Sequence, residues 1–480
     1  MRIREKIRLK DIAGWTGARI ISGDGHSWVE SISTDSRTLD KGDFFIPVTG
    51  ENFDGHDFIA AAVSSGAGGL VYEKGKKNLI PGPSIRGTGK GEKLIVLEAG
   101  DSMDFLMKLA RGYLRQFDAV SIGITGSLGK TTTRSFITSI LSRGFNIVHT
   151  PGNYNTEIGV SKTILSLGKD TDFFVAELGM RGAGQIGPLA DICDIGIGAI
   201  TSISRSHMEF FDSIEELAAA KAEIAGPIGK KGGKLFLNAD DEMTPCIKGL
   251  VDADILEFGE NRNRDYNFKE AGSDDLGRYS FSLNKKDKKI ADIKCSQPGY
   301  HNMYNSCLAA AISHYLGADP GMIKEGLENA QMEEHRMQIL EYKYYTILDD
   351  CYNASPVSVR GALDTLSLIS GKNNRRSVAI LGDMLELGKS AEELHLRTGE
   401  YAAKKDIDVL VTSGKLAKNM CRGFINDQGS RKSCYSFNDS KKVLKHLEDI
   451  IKPGDAILVK GSRANRLEEI VEHLQKKHGG

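Results

Sequence analysis

The sequence predicts an α/β protein of three domains built on parallel sheets, and three observations carry that prediction. The chain has 480 residues, more than a single hydrophobic core normally serves, so several domains of ordinary size are expected. Beyond the first hundred residues, short β-branched and apolar runs alternate with helical patterns, the signature of strands joined by crossover helices. One of those strands, Val120-Ser121-Ile122-Gly123-Ile124-Thr125, runs through a glycine-containing loop straight into a helix.

Taken in order, residues 1–100 read as short strands and turns. They end in a Gly/Lys/Pro-rich stretch, residues 74–93, expected to be an exposed loop. Leu106, Leu109, Ala110, Tyr113, Leu114 and Phe117 then recur at helical spacing, which predicts an amphipathic helix and a first boundary near residue 100. The middle domain, 101–332, is expected to hold strands at 119–125, 173–176, 195–203 and 234–237 and a helix at 132–143. A second alternating series starts near Tyr344, with strands at 377–381, 408–412 and 456–459, and predicts a Rossmann-like third domain over 333–480. The hinge between the two is placed at residues 333–335.

Composition narrows the function classes. Forty per cent hydrophobic and 26 per cent charged residues argue against pervasive disorder. With 63 basic against 64 acidic residues there is no excess of positive charge, so nucleic acid is not expected as the partner. No stretch approaches the roughly 18 uninterrupted apolar residues of a membrane span. The start, Met1-Arg2-Ile3-Arg4-Glu5-Lys6, has no apolar signal region. Seven scattered cysteines without a CxxC pair argue against a disulfide framework and a zinc module; they fit a reducing compartment and a cytoplasmic protein.

The loop Gly126-Ser127-Leu128-Gly129-Lys130-Thr131 carries the first chemistry. Between a strand and a helix, its N–H groups and the helix N-terminus face an anion, Lys130 reaches terminal phosphates, and Thr131 offers a hydroxyl to Mg²⁺. The usual phosphate loop has a further glycine five residues before the second; here that position is Ile124, so only the shorter G-x-x-G-K-[ST] is present. A Gly-rich turn of no special role is the alternative. Glu177 ends an apolar strand pattern, where sheet ligands gather and a metal carboxylate is needed, though a loop glutamate without a role reads equally well. His207, taken alone, reads as a surface or hydrogen-bonded histidine. Lys221 is more telling. Ser213 and Glu216 have capping-box spacing, and Ile214, Leu217, Lys221 and Ile224 form one helical stripe. That turns an ammonium inward, where it snorkels, pairs with a buried acid, or is used chemically.

Segments along nearly the whole chain resemble the Mur ligase superfamily, ATP-dependent amide ligases of cell-wall precursor synthesis, and within it the MurF family, which adds D-alanyl-D-alanine. They are TDSR from Thr34, GENFDGHD from Gly50, TGSLGKTTT from Thr125, PGNYNTEIGV from Pro151, ELGM from Glu177, SHMEFF from Ser206, AKAEI from Ala220, HNMYNSCLAAA from His301, HRM from His335, DDCYNASP from Asp349, LGDMLELG from Leu381 and KGSR from Lys460. The resemblance implies a UDP-binding first domain, a central ATPase domain, and a third domain receiving the incoming dipeptide. It implies ATP and Mg²⁺, with two ions, as cofactors, and UDP-N-acetylmuramoyl-tripeptide and D-alanyl-D-alanine as partners. It also implies a monomer.

It implies site residues as well. Thr131, Glu177 and His207 would hold metal, and Lys130, Thr132 and the glycine loop would hold ATP. Lys221 matches a lysine that many such ligases carbamylate, which would turn a buried cation into an anion and make it a further residue holding metal. Asn302 and Asn305 match contacts on the adenine side, Arg336 a contact to phosphates and Asp350 one to ribose. Ser36 and Arg37 match the uridine-diphosphate pocket and Asn153 a substrate contact. Asn353, Ser355, Lys460 and Arg463 match the dipeptide site. The family often reads D-S-Y-N-A-N-P where this chain has Cys351 and Ser355, which bears on dipeptide preference. A third-residue-adding ligase, a folylpolyglutamate synthetase and a silent nucleotide-binding partner are the alternatives, and the third residue of the peptide is not legible. A mechanochemical ATPase or GTPase would be expected to show a full-length loop and a switch aspartate.

Overall fold

Three sheets with helices packed against them and one two-stranded ribbon make up the computed structural model, which describes residues 1–50, 53–81, 94–205, 209–426 and 432–478. The first sheet has six strands in the order Arg2–Arg8, Trp28–Ser33, Phe44–Phe45, Gly69–Glu73, Ile95–Ala99, Arg19–Ser22. Its interior pairings are parallel and its two edge pairings antiparallel. Phe45, Ile59, Leu70, Tyr72 and Val96 give this domain an apolar core of its own. Within the expected 74–93 loop, Lys77–Leu79 forms a single 3₁₀ turn, and residues 82–93 lie outside the described residues.

The predicted amphipathic helix is Ser102–Leu114, capped by Asp101, whose carboxylate accepts from Asp104 N–H at 2.7 Å. It packs against both the first-domain helix Leu9–Thr16 and the middle-domain helix Glu157–Ile164. Tyr113 Oη donates to Leu167 O at 2.7 Å. One buried face therefore fastens the first two domains together.

The middle sheet has nine strands, in the order Ile147–His149, Phe173–Glu177, Val120–Thr125, Ile197–Ile200, Lys234–Asn238, Asp254–Gly259, Tyr266–Ser273, Arg278–Lys285, Lys288–Pro298. Pairings are parallel from the first edge to Tyr266–Ser273, and the last two are antiparallel. The parallel strands are covered on both faces, which is why they read as apolar runs without alternation. The antiparallel extension has one face packed: Phe281 and Leu283, then Ile293 and Cys295, are buried at alternate positions. From Val120–Thr125 the chain first builds Ile147–His149 and Phe173–Glu177 on one side, then crosses to Ile197–Ile200 on the other. The carboxyl end of Val120–Thr125 is thus the switch point at which such sheets open a binding crevice.

The third sheet has six strands, ordered Gln338–Glu341, Thr346–Asp350, Ala456–Lys460, Ser377–Gly382, Val409–Ser413, Ser433–Phe437, with only the first pairing antiparallel. This is the expected Rossmann-like arrangement. The cysteine reading needs a correction: Cys421 and Cys434 form a disulfide, with Cα atoms 5.8 Å apart and a sequence separation of 13. Cys421 lies on the helix Lys418–Asn426 and Cys434 on the edge strand Ser433–Phe437, so the fold of this domain, and no sequence motif, brings them together. Cys193, Cys246, Cys295, Cys307 and Cys351 are free. Among the described residues no helix is long and apolar enough to cross a membrane.

Candidate active site

The glycine loop takes its shape from two left-handed glycines. Gly126 has φ 144° and Gly129 φ 83°, a region that costs a residue with a Cβ. Space forbids a side chain as well: a Cβ on Gly126 would collide with the Thr201 hydroxyl, and one on Gly129 with the Asn305 amide oxygen. The helix Lys130–Leu141 begins directly after Gly129, two residues ahead of the sequence-based start, so its unpaired first N–H groups project from the loop. Lys130 Nζ donates to Gly126 O at 2.7 Å and to Ser127 O at 3.4 Å, which keeps the ammonium over the loop. Burial, only partly offset by Glu177, lowers its pKa.

Parallel register sets Glu177 beside Ile124, at the entry to the loop. Its carboxylate is 4% exposed and fully engaged by neutral donors. Oε2 accepts from Thr131 Oγ1 at 2.8 Å and Oε1 from Asn155 Nδ2 at 3.0 Å, while the backbone N–H donates to Thr150 Oγ1. A buried carboxylate, a hydroxyl and an amide at a strand's carboxyl end form an oxygen-rich donor set that suits a hard divalent cation. Asn155 and Thr150 were not anticipated from the sequence. Asn155 ends the PGNYN segment, which was read only as a family match, and Thr150 immediately precedes it.

Lys221 is buried in the helix Ile214–Ala222, whose start is capped by Ser213 Oγ accepting from Glu216 N–H at 3.1 Å. Burial, then the nearby Lys130, pushes its pKa well below the ordinary lysine value. An amine held toward its neutral form is a nucleophile. His207 lies outside the described residues.

The third domain supplies the opposite wall. Asp350 and Lys460 are register partners at the ends of adjacent parallel strands. Lys460 Nζ donates to Asp350 Oδ2 at 2.5 Å and to Asn353 O at 2.8 Å. Lys460 is 2% exposed, so its charge is committed to this pair. Arg463 lies 5.4 Å from the Tyr352 ring and Arg336 4.0 Å from the same ring. Ser355 caps the helix Pro356–Asn373 in a capping box with Ser358, which occupies its hydroxyl. The hinge carries two non-glycine residues with positive φ, His335 at 62° and Met337 at 49°, on either side of Arg336. Asp349 anchors this turn: its Oδ2 lies 2.7 Å from His335 Nδ1, and its Oδ1 accepts from Cys351 Sγ at 2.9 Å.

The carboxyl ends of the middle and third sheets face one cavity of about 1240 Å³. The walls include Ser127 to Thr132, Asn153, Glu177 and Lys221 from the middle domain and Arg336, Asp350, Asn353, Ser355, Lys460 and Arg463 from beyond the hinge. Asn302 and Asn305 also border it, although their side chains are largely spent on each other and on Pro298 O, behind the loop. Ser36 and Arg37 are not among its lining residues. They lie in the first domain, where Arg37 forms a bidentate pair with Asp35 at 2.9 and 2.7 Å. That hydrogen-bonded pair lowers the Asp35 pKa to about 2.

A glycine loop between strand and helix, a buried strand-end carboxylate and a buried lysine face a second parallel sheet across one cavity, and comparison with known proteins gives the class. The family descriptions that match are "Mur ligase family, catalytic domain" over residues 29–111, "Mur ligase middle domain" over 124–313 and "Mur ligase, glutamate ligase domain" over 335–463. This chain belongs to the Mur ligase family. Within it, the chain is 30% identical to the UDP-N-acetylmuramoyl-tripeptide--D-alanyl-D-alanine ligase of Bacillus subtilis, over 93% of each chain. The crystal structure of MurF from Acinetobacter baumannii superimposes with a TM-score of 0.87 at 27% identity, covering 99% of this chain and 100% of that one. MurF from Thermotoga maritima in complex with ADP gives 0.76 at 27% identity, covering 93% and 97%.

Proposed function

We propose that this chain is an ATP-dependent amide ligase that joins D-alanyl-D-alanine to the terminal carboxylate of UDP-N-acetylmuramoyl-tripeptide, in the cytoplasm and as a monomer. The observation that carries this reading is the facing of two strand-end sites across one cavity. The glycine loop with Lys130, Thr131 and Glu177 lies on one side, and Arg336, Asp350 and Arg463 lie on the other. In this reading the peptide carboxylate attacks the γ-phosphorus of ATP, giving an acyl phosphate and ADP. The dipeptide amine then adds to the acyl carbon, and the tetrahedral intermediate expels inorganic phosphate. No protein nucleophile is required, so positioning and charge neutralisation supply the rate. Lys130 and the loop N–H groups hold the transferred phosphoryl group. Arg336, brought in from the hinge, completes the positive surround, and closure of the third domain excludes water from the acyl phosphate.

Mg²⁺ held by Thr131 and Glu177 would neutralise charge on the phosphates, with His207 in this proposal holding a second ion. Lys221 as an ammonium cannot ligate a cation; as a carbamate it offers two oxygens, and its lowered pKa favours the neutral amine that reacts with CO₂. Arg463 is the better placed cation for the dipeptide's free carboxylate, because Lys460 is tied to Asp350.

The test is ADP release from purified UDP-linked peptides scored against candidate amines. Tripeptide substrates ending in lysine or diaminopimelate, each with D-alanyl-D-alanine, are expected to be consumed. Preference for the UDP-linked dipeptide with lysine or diaminopimelate as the amine would overturn the reading.

A further inference from the structure

Arg134 is the largest of the fully buried side chains, 1% exposed, and the mechanism above gives it no task. It lies one helical turn past the glycine loop, on the helix Lys130–Leu141. One guanidinium nitrogen donates to Thr150 O and to Gly152 O, the latter at 3.2 Å, and lies 3.9 Å from Glu177 Oε2. The other terminal nitrogen pairs with Glu333 Oε1 in the hinge. The second oxygen of Glu333 faces Arg336 Nε at 3.8 Å. Four charges therefore alternate in sequence, Glu177, Arg134, Glu333, Arg336, from the metal carboxylate to the arginine that reaches across the hinge.

On the third-domain side, the same turn is held by Asp349 on His335, by Met337 N–H donating to Asp350 Oδ1 at 3.1 Å, and by Tyr352 under Arg336. On the middle-domain side, Arg134 holds it through Glu333. A buried guanidinium between two carboxylates responds to the charge on each, because screening is weak in the interior. Cation binding at Glu177 weakens the pull of that carboxylate on Arg134, which strengthens the hold of Arg134 on Glu333 and loosens the claim of Glu333 on Arg336.

We infer that Arg134 is a positioning residue that couples occupancy of the nucleotide–metal site to the hinge, releasing Arg336 toward the phosphates as the third domain closes. This rests on the ATP-ligase reading of the site. Contiguity alone does not establish coupling, so the test must read it directly.

The variants are Glu333→Gln, Arg134→Lys, Arg134→Met and the Arg134→Met/Glu333→Gln double. Radius of gyration is measured by X-ray scattering with and without Mg²⁺ and a non-hydrolysable ATP analogue, with nucleotide affinity by calorimetry and with kcat and KM. Wild type is expected to compact on binding. Glu333→Gln is expected to bind the nucleotide within about threefold of wild type, to show no change in radius of gyration on binding because Arg336 is no longer held by Glu333 beforehand, and to lose about tenfold or more in kcat, the scale of ordinary coupling energies. Arg134→Lys recovers part of what Arg134→Met loses, and the double variant is no worse than the poorer single, as expected for one shared pathway. If Arg134→Met does not fold, Glu333→Gln and Arg134→Lys decide. Wild type that does not compact overturns the inference. So does a Glu333→Gln variant that compacts and turns over normally, or losses that multiply in the double. Wild type that releases no ADP with any substrate overturns the ligase reading instead.

Discussion

Replacing Gly129 with alanine tests whether the loop conformation is what binds ATP. Gly129 has φ 83°, and an alanine held there costs roughly 1–2 kcal/mol. Its methyl group also strikes Asn305 Oδ1. That oxygen accepts from Thr133 Oγ1 at 3.5 Å, and the other end of the amide donates to Asn302 Oδ1 at 2.9 Å. Displacing the amide forfeits up to two hydrogen bonds, at about 0.5–1.5 kcal/mol each. The strain totals about 1–5 kcal/mol and has two outlets. Either the loop keeps its shape and the folded state loses that stability, or the loop relaxes and nucleotide affinity falls tenfold per ~1.4 kcal/mol. Thermal unfolding and ADP calorimetry on the same preparation should together account for the strain. In an Asn305→Gly background, where the colliding amide is already absent, Gly129→Ala should cost only the backbone part. A Gly129→Ala protein with unchanged unfolding and unchanged ADP affinity would refute the reasoning.

Glu177→Gln keeps an acceptor for Thr131 but removes the charge, so the Mg²⁺ concentration for half-maximal turnover should rise by about tenfold or more; an unchanged Mg²⁺ profile would remove Glu177 from the metal site. Lys221→Met should be inactive yet more stable than wild type at neutral pH in CO₂-free buffer. The sign follows from burial: the folded pKa lies below 10.5, so between the two values the unfolded chain binds more protons and wild-type stability rises with pH. The gap between variant and wild type should therefore narrow as pH approaches 10, read by denaturant titration; a gap independent of pH would contradict the burial argument. Cys421→Ser removes a bridge spanning 13 residues, expected to cost about 3 kcal/mol in the third domain. Wild type should show the same loss under reductant, whereas the variant should ignore it; intact-mass analysis counts the thiols.

Much of the fold was legible because parallel strands buried on both faces leave unbroken apolar runs. Phe173–Glu177, Lys234–Asn238 and Ala456–Lys460 each fall within a residue of the expected positions. Lys221 was legible because a helix repeats every 3.6 residues, so one stripe fixes which way a side chain turns. The antiparallel extension of the middle sheet was present as alternation at Phe281 and Leu283 but was not read. Phe44–Phe45 is too short to carry any period. The partners of Glu177 were hidden for a different reason. Asn155 and Thr150 reach it from a segment that follows a different strand, and only the strand order 147, 173, 120 sets them side by side. Arg134 reads as one more polar residue after TTT, since its value depends on Glu333, 199 residues away. Ser355 shows the converse. Read as a substrate contact by resemblance, it spends its hydroxyl on a helix cap. The left-handed backbone at Met337 has no local signal, because methionine does not favour it, and at His335 the signal is only the modest enrichment of histidine in that region.

The most direct measurement follows oxygen. UDP-linked tripeptide labelled with ¹⁸O in both oxygens of its terminal carboxylate is turned over with ATP and D-alanyl-D-alanine, and the released phosphate is analysed by mass. Phosphoryl transfer to that carboxylate predicts one ¹⁸O in each inorganic phosphate and one retained in the new amide. Phosphate free of label, released in step with ADP and amide, would contradict the acyl-phosphate route and with it the role assigned to the Lys130–Glu177 site.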